Sequence, residues 1–174
     1  MVIAALELPA TLTTREQTLV LRRAGLGDLD ALMALLADDP ISAARGDQAQ
    51  ESDLPAYERA LADLIDDPSN EILLVEDAAG AVIATMQLTR IPGMARRGST
   101  RMLVEAVRVS SALRSGGVGS AMMRWVTDVA APATGSSIVQ LTSDEARIDA
   151  HRFYERLGFV GSHRGFKYAV TAAN

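Results

Sequence analysis

The residues best suited to chemistry by type and spacing form a glycine-rich stretch, V-R-V-S-S-A-L-R-S-G-G-V-G-S, from Val107 to Ser120. This stretch is predicted to join a strand to a helix. Because Gly116, Gly117 and Gly119 have no Cβ, they let the main chain approach a ligand closely. A helix N-terminus adds free N–H groups and about half a positive charge, so the turn is suited to a pyrophosphate. The alternative is a glycine-rich turn that binds no ligand.

Two other phosphate-binding motifs do not fit this turn. A P-loop requires Lys and then Ser or Thr after its last glycine, whereas Gly119 is followed by Ser120 and Ala121. A dinucleotide-binding fingerprint that starts at Gly117 requires Gly or Ala at its sixth position, where Met122 stands. No acidic residue ends the next strand either, so both classes are excluded.

The turn resembles a signature of the GNAT superfamily of N-acetyltransferases, Q/R-x-x-G-x-G/A, with Arg114, Gly117 and Gly119 at its defining positions. A second stretch, F-Y-E-R-L-G-F from Phe153 to Phe159, resembles the family's downstream signature together with Ala150. The two stretches lie at the spacing that is typical of this family.

The resemblance implies that the chain binds acetyl-CoA as a cosubstrate. Backbone groups of Val107 and Val109 would hydrogen-bond the pantetheine arm as a neighbouring strand does, and residues 114–120 would hold the pyrophosphate. Where the family often has Asn, this chain has Arg147, which either reaches a phosphate or only covers the surface. The predicted cofactor-binding residues are Val107, Arg108, Val109, Arg114, Ser115, Gly116, Gly117, Val118, Gly119, Ser120, Arg147, Phe153 and Tyr154.

Tyr154 is the candidate general acid. The resemblance implies that its hydroxyl lies near the cofactor sulfur. When an amine attacks a thioester, the leaving thiolate takes up a proton, which a phenol with a pKa of about 10 can donate. The alternative is a tyrosine that packs its ring and leaves its hydroxyl in water.

Glu105 is the candidate general base. An alkylamine with a pKa of about 10.4 is almost wholly protonated at neutral pH, so a base that deprotonates it is useful. Strict alternation places Glu105 on one strand face with Leu103, Val107 and Val109, and burial there is expected to raise its pKa. The resemblance adds that some family members have an acid here. The alternative is a carboxylate that binds a neighbouring strand's polar group or the substrate without moving protons.

The composition excludes several other kinds of site. The 174 residues include no Cys, so disulfides and thiolate sites are excluded and a cytoplasmic location is expected. A formal net charge of -5 argues against general binding to nucleic acid or to a membrane surface. His151 and His163 have no partner at metal-ligand spacing, so we expect no metal.

Charged segments outside the glycine turn have two interpretations. Arg90, Arg96, Arg97 and Arg101 form a positive cluster around the loop 91–101. In the family this region can line the acceptor site, where it would suit an acidic or phosphorylated acceptor; the alternative is a solvated loop. The acidic D-D-P stretches are expected to be helix ends exposed to water.

Hydrophobic periodicity predicts alternating strands and helices. A helix from residue 29 to about Asp39 is expected to be capped by Asp28 and stopped by Pro40, and another runs from about Pro55 to Asp66. A further helix is expected to open at Thr142 and Glu145, which have capping-box spacing, and to stop at Gly158. Strands are predicted at 18–22, 71–76, 81–90, 101–109, 138–141, 159–162 and 166–170, and a helix at 117–131.

These elements and the resemblance, which is strong over residues 70–170, imply an α/β fold of the GNAT type. We expect a mixed, mostly antiparallel central sheet with a splayed strand pair, flanked by helices. Residues 18–174 are expected to form one domain, and residues 1–17, without clear periodicity, an N-terminal extension. A homodimer through the terminal strands or the N-terminal arm is compatible with this fold.

The implied function is an N-acetyltransferase that moves an acetyl group from acetyl-CoA to a primary amine of a small molecule or protein. Direct attack is expected, since the chain has no Cys and no Ser paired with a base at recognisable spacing. One alternative is a catalytically silent acyl-CoA-binding sensor, and another is a scaffold whose glycine turn binds nothing. Polyamines, amino acids, antibiotics and protein N-termini all remain compatible acceptors.

Overall fold

A computed structural model of the chain describes residues 3–170. These residues form two compact units, one that ends at Leu141 and one that begins at Thr142. Within residues 3–170, no helix combines the length and the apolar character needed to cross a membrane.

The first unit is built on a six-stranded sheet in which spatial order follows chain order. All neighbouring strands are antiparallel except the last two, which are parallel. The mixed, mostly antiparallel sheet predicted from the sequence is confirmed. The strands are β1 (Ala10–Thr13), β2 (Thr18–Arg23), β3 (Asn70–Glu76), β4 (Val82–Ile91), β5 (Thr100–Val109) and β6 (Ser136–Leu141).

Helices occupy the connections before β3 and before β6. The first connection holds α1 (Leu29–Ala37), α2 (Pro40–Ala43) and α3 (Leu54–Asp66). The second holds α4 (Val118–Trp125), which continues through a wider π-type turn (Val126–Ala130) into a last helical turn (Ala131–Ala133). Pro40 therefore starts a new short helix instead of only ending α1, since proline is tolerated in a first helical turn.

The core lies on both faces of the sheet. On one face Leu74 of β3 packs with Leu32 of α1 and Leu61 of α3, and all three are at most 5% exposed. On the other face α4 packs against β1 and β5, and its Val118 and Met122 are buried. The buried core residues are mostly aliphatic, in keeping with an aromatic content of only 4%.

Two corrections concern the N-terminal part of the first unit. Residues 10–13, predicted to lie in an extension, form β1 and pair with β2, while Ile3 and Leu6 are buried. The predicted boundary at residue 17 is therefore wrong, although Met1 and Val2 lie outside the described residues. The prediction of one domain over 18–174 stays a prediction.

Asp28 was also expected to cap α1, and this is wrong. Its carboxylate accepts two hydrogen bonds from Arg22, each of 2.8 Å, and one from the N–H of Gly25. The Arg22 guanidinium, which also bonds Glu76, lowers the pKa of Asp28. The carboxylate thus ties the start of α1 to β2 by an ion pair.

The second unit contains α5 (Ile148–Arg156), which begins later than predicted. Thr142 and Glu145 do not form a capping box; instead the Asp144 carboxylate accepts the N–H of Ala146 at 2.9 Å. The predicted stop at Gly158 is confirmed, because its φ is 91° and the N–H of Phe159 returns to the carbonyl of Tyr154.

The strands predicted at 159–162 and 166–170 are absent from the described structure, and both predictions are wrong. Phe166 and Tyr168 are each 90% exposed. Their alternation with polar residues indicates strand propensity, but a strand also needs a neighbouring strand to bond. Dimerisation through these segments remains a prediction.

Leu74→Ala is expected to lower the free energy of unfolding by about 2–5 kcal/mol, because Leu74 is fully buried between α1 and α3. Urea denaturation followed by circular dichroism measures the change. Leu26→Ala is the matched control, since Leu26 is 59% exposed and should cost no more than about 0.5 kcal/mol. Equal losses in the two variants would contradict this description of the core.

Candidate functional site

The sheet opens between β5 and β6. Their parallel pairing joins Thr100–Val104 to residues of Ser136–Leu141 and ends there, whereas β5 continues to Val109 beside β4 alone. Among the described residues, 105–109 of β5 therefore have a strand partner on one side only. This is the splay expected at Val107 and Val109, and it leaves main-chain groups that an extended ligand can bond.

A bulge in β5 lies at this opening. Glu105 pairs with Gln87 and Arg108 with Thr85, so that Ala106 and Val107 together oppose a single residue of β4. Ala106 has a φ of 49°, a left-handed conformation that strand alternation cannot predict. The prediction that Glu105 shares a face with Val109 is wrong, because the extra residue moves Val109 to the opposite face.

Glu105 is exposed, so the prediction that it is buried among apolar residues is wrong. The residue that pairs with it on the neighbouring strand β4 is the polar Gln87. An alternating row of apolar residues shows which face a side chain occupies but not whether another layer covers that face. The role of Glu105 as a base stays a prediction.

A polar row that was not predicted lies next to Glu105. The side-chain oxygen of Asn70 accepts hydrogen bonds from Gln87 at 3.1 Å and from Thr89 at 2.6 Å. All three side chains are half-buried on neighbouring strands. Polar residues at every second position of β4, namely Thr85, Gln87 and Thr89, were the signal that could have revealed this row.

The glycine turn follows directly from the free edge of β5. The N–H of Ser110 donates to Ile83 of β4 at 2.9 Å, and a 3-10 turn (Ser111–Leu113) comes next. Ser115 and Gly117 then have φ values of 72° and 84°. Left-handed residues at this spacing turn successive N–H groups to one side, an arrangement that binds anions.

Four main-chain amides of this turn are available to a ligand. The N–H of Ala121 makes the first helical bond of α4, to the carbonyl of Gly117. Within residues 3–170, no acceptor is bonded to the N–H groups of the four preceding residues, Gly117, Val118, Gly119 and Ser120. The helix dipole adds positive potential at the same place, so the turn has the properties of a pyrophosphate site.

The corner between α1 and α2 contacts this turn, although no local sequence pattern indicates the contact. Asp38 accepts hydrogen bonds from the N–H of Ser111 at 2.6 Å and from its hydroxyl at 2.9 Å. These bonds, with the charge of Arg114, lower the pKa of Asp38. The Arg114 guanidinium donates to the main-chain carbonyl of Asp38 at 3.1 Å.

The same corner also holds the end of β5. Arg108 donates to the hydroxyl of Ser42 at 2.5 Å and to the carbonyl of Val107 at 2.8 Å. Asp39 is 7% exposed and accepts the N–H of Ser42. The expectation that the first D-D-P stretch is exposed to water is therefore wrong for Asp39, and Asp38 is half-buried.

The arginine cluster divides into bonded and exposed members. Arg90 donates to the carbonyl of Thr134, and Arg101 lies 3.4 Å from the side-chain oxygen of Gln140. Arg96 and Arg97 are exposed in consecutive left-handed conformations. Contact of this loop with an acceptor stays a prediction.

The remaining predicted residues lie in the second unit, on α5 or directly before it. Arg147 precedes the helix, and Phe153 and Tyr154 are half-buried with ring centroids 5.0 Å apart. The ring of Tyr154 also lies 5.8 Å from that of Phe159. His151 contacts the carbonyl of Asp144 at 2.8 Å. In the described part of the chain, no three His, Asp or Glu side chains are grouped to hold a metal ion.

Comparison with known proteins gives a consistent result. The model of the acetyltransferase (GNAT) family matches residues 29–159. A crystal structure described as a transcriptional regulator from Bacillus halodurans C-125 is 34% identical, with a TM-score of 0.81 over 87% of this chain and 99% of that one. No curated protein matches the chain significantly.

Two further solved structures share the fold. A putative acetyltransferase from Agrobacterium tumefaciens str. C58 is 26% identical, with a TM-score of 0.68 over 86% of this chain and 99% of that chain. An acetyltransferase from Trypanosoma brucei is 22% identical, with a TM-score of 0.69 over 87% and 99%. The expected fold, with its splayed strands and flanking helices, is confirmed.

Gly117→Ala is expected to lower the free energy of unfolding by about 1–2 kcal/mol, the cost of a left-handed conformation in a residue with a Cβ. The added carbon would lie 3.7 Å from the Cβ of Thr14, an ordinary contact, so conformational strain is the cause. Gly27→Ala is the control, because no atom lies within 4 Å and φ is not positive there. Chemical denaturation of both variants checks this, and equal stability would contradict it.

Proposed function

We propose that this chain, which belongs to the acetyltransferase (GNAT) family, transfers an acetyl group from acetyl-CoA to a primary amine. The observation that supports this most directly is the row of unbonded N–H groups from Gly117 to Ser120 beside the free edge of β5. Two parts of the same cosubstrate, a diphosphate and an amide-containing arm, fit two adjacent features of the main chain.

The diphosphate would be bound by main-chain amides. The N–H groups of residues 117–120 lie at the N-terminus of α4, where the helix dipole favours negative charge. Gly117 can adopt its φ of 84° without strain, which lets the turn present these groups together.

The pantetheine arm would lie along β5. Because the N–H of Ser110 bonds to Ile83 on β4, the alternation of an antiparallel ladder directs the N–H and C=O of Val109 away from β4. These groups face the side on which β6 has ended. An arm with two amides can pair there in the manner of an added strand, where it would replace the long 3.5 Å bond that the Val109 carbonyl accepts from Arg114 Nε.

The chemistry would be direct attack by the neutral amine on the thioester carbonyl, forming the C–N bond and breaking the C–S bond. Glu105 would accept the amine proton through a water, and Tyr154 would donate a proton to the leaving thiolate. An N–H of β5 would polarise the carbonyl, and most of the rate would come from holding the two reactants together. The acceptor we propose is an amine on a small molecule or a protein, in the cytoplasm.

A second candidate is a catalytically silent sensor that binds acyl-CoA. One observation favours it: the relative with 34% identity is described as a transcriptional regulator. Such a module would need the same amide row and the same free edge of β5, but neither Tyr154 nor Glu105. Binding and turnover must therefore be measured separately.

Acetyl-CoA is expected to raise the melting temperature of the protein, and a panel of amines should include at least one that releases free thiol from it. The panel should cover polyamines, amino acids, aminoglycosides and peptide N-termini. Stabilisation without thiol release from any amine would favour the sensor. No stabilisation at millimolar acetyl-CoA would contradict both candidates.

Tyr154→Phe is expected to lower kcat about a hundredfold, the lower end of what a positioned acid contributes, with little change in the KM for acetyl-CoA. Tyr168→Phe is the matched control, because Tyr168 is 90% exposed and outside the proposed site. Steady-state thiol release measures both. An unchanged kcat in Tyr154→Phe would remove Tyr154 from the mechanism.

Glu105→Gln is expected to lower kcat/KM at neutral pH and to shift the activity profile towards higher pH, where more of the amine is already neutral. The profile of kcat/KM against pH checks this. A uniform loss at every pH would indicate that Glu105 binds the acceptor without taking its proton.

A further inference from the structure

The carboxylate of Asp38 bonds Ser111, at the entrance to the turn where the proposed function puts a diphosphate. A negative charge near a dianionic ligand opposes its binding by electrostatic repulsion. A carboxylate in this region therefore calls for a compensating role. Asp38 is the C-terminal cap residue of α1, yet its side chain bonds Ser111, which is 73 residues away in the chain. The proposed acetyl transfer step gives this long-range contact no role.

The entrance to the glycine turn is held at three points, two of which are made by Asp38. Ser110 is held by the bond from its N–H to Ile83 of β4. Ser111 is held by two bonds to the Asp38 carboxylate, of 2.6 and 2.9 Å. Arg114 is held by its bond to the Asp38 carbonyl. The segment that leads into the left-handed residues 115 and 117 is thus restrained from α1 as well as from the sheet.

The strength of the contact favours a positioning role. A hydrogen bond from an N–H to a carboxylate is charge-assisted and stronger than one between neutral groups. The N–H and hydroxyl of Ser111 also neutralise part of the negative charge, and Arg114 adds a positive one beside it. The local field at the turn therefore stays compatible with an anion although a carboxylate is near.

We propose that Asp38 is a positioning residue that holds the glycine turn in the conformation that binds the diphosphate of acetyl-CoA. This inference rests on the proposed function and adds a residue that does not touch the cosubstrate. Asp38 acts through Ser111 and Arg114. The affinity of the turn for the cosubstrate therefore depends on the position of the C-terminal end of α1.

Asp38→Asn separates this role from simple electrostatics, because the two predict opposite signs. If Asp38 acted only by its charge, removing that charge would tighten the binding of the anionic cosubstrate. If it positions the turn, binding weakens, because the Asn side chain can still accept the Ser111 N–H and donate to its hydroxyl but both bonds lose their charge assistance. We expect the Kd for CoA to rise about ten- to hundredfold in Asp38→Ala, the range for loss of a hydrogen bond to a charged group, and by a smaller factor in Asp38→Asn.

The experiment measures the Kd for CoA by titration calorimetry, and kcat/KM with acetyl-CoA and with acetyl-pantetheine, which lacks the diphosphate. Asp38→Asn and Asp38→Ala should lose affinity for CoA and kcat/KM with acetyl-CoA, but not kcat/KM with acetyl-pantetheine. Ser111→Ala keeps the N–H bond and should show a smaller loss. If Asp38→Ala does not fold, Asp38→Asn and Ser111→Ala carry the test.

Asp67→Asn is the matched control. Asp67 is the C-terminal cap residue of α3 and also accepts one main-chain N–H and one side-chain N–H, from Ser69 and Asn70 at 2.8 Å each. Its bonds are local, so its loss should leave the Kd for CoA unchanged.

Three results would overturn the proposal: unchanged or tighter CoA binding in Asp38→Asn, an equal loss with acetyl-pantetheine, or an equal loss in Asp67→Asn. If the wild-type protein binds no CoA, the proposed function fails and this role fails with it. If the wild type binds CoA and Asp38→Asn binds it equally well, only the positioning role fails.

Discussion

The unpaired side of β5 between Glu105 and Val109 is the constraint on which the rest of the site depends. Main-chain polar groups that lose a strand partner must find another acceptor or donor, or remain in water. Because β6 ends opposite Val104, the main-chain groups that lose a strand partner are those of the short stretch from Glu105 to Val109. The bulge at Ala106 and Val107 adds a bend there, and the glycine turn begins where the stretch ends. One strand therefore sets the positions of both the free edge and the free amides.

Features that depend on neighbouring residues could be predicted from the sequence. Helices α3 and α4 and strands β2 to β6 follow the predicted ranges within a few residues, because periodic burial is local information. The bulge could not be predicted. The φ of 49° at Ala106 arises from the register between β4 and β5, to which no local pattern points. The error about the face that Glu105 was expected to share with Val109 follows from the bulge, since counting alternate residues does not detect one extra residue in a strand.

Contacts between distant segments were the other limit. Asp38 and Asp39 look like an ordinary polar helix end, and their bonds to Ser111 and Ser42 depend on how α1 and α2 cross the end of β5. In the second unit the segment 159–170 shows the opposite case, a strand-like pattern for which the described structure gives no paired strand. Propensity indicates what a segment can form, and the presence of a partner decides whether it does.

The chain carries a net charge of -5, yet the proposed cosubstrate is anionic, and the source of the attraction resolves this contrast. The proposed diphosphate site is made of main-chain amides and a helix terminus, whose partial charges act at hydrogen-bond distance. Net charge acts over a Debye length of about 8 Å at physiological salt and is screened beyond it. Orientation therefore matters more than charge, because four N–H groups attract a diphosphate only while they converge. The conformation of the turn depends on the groups that hold its entrance. One of them is the carboxylate of Asp38, whose two oxygens already accept hydrogen bonds from Ser111.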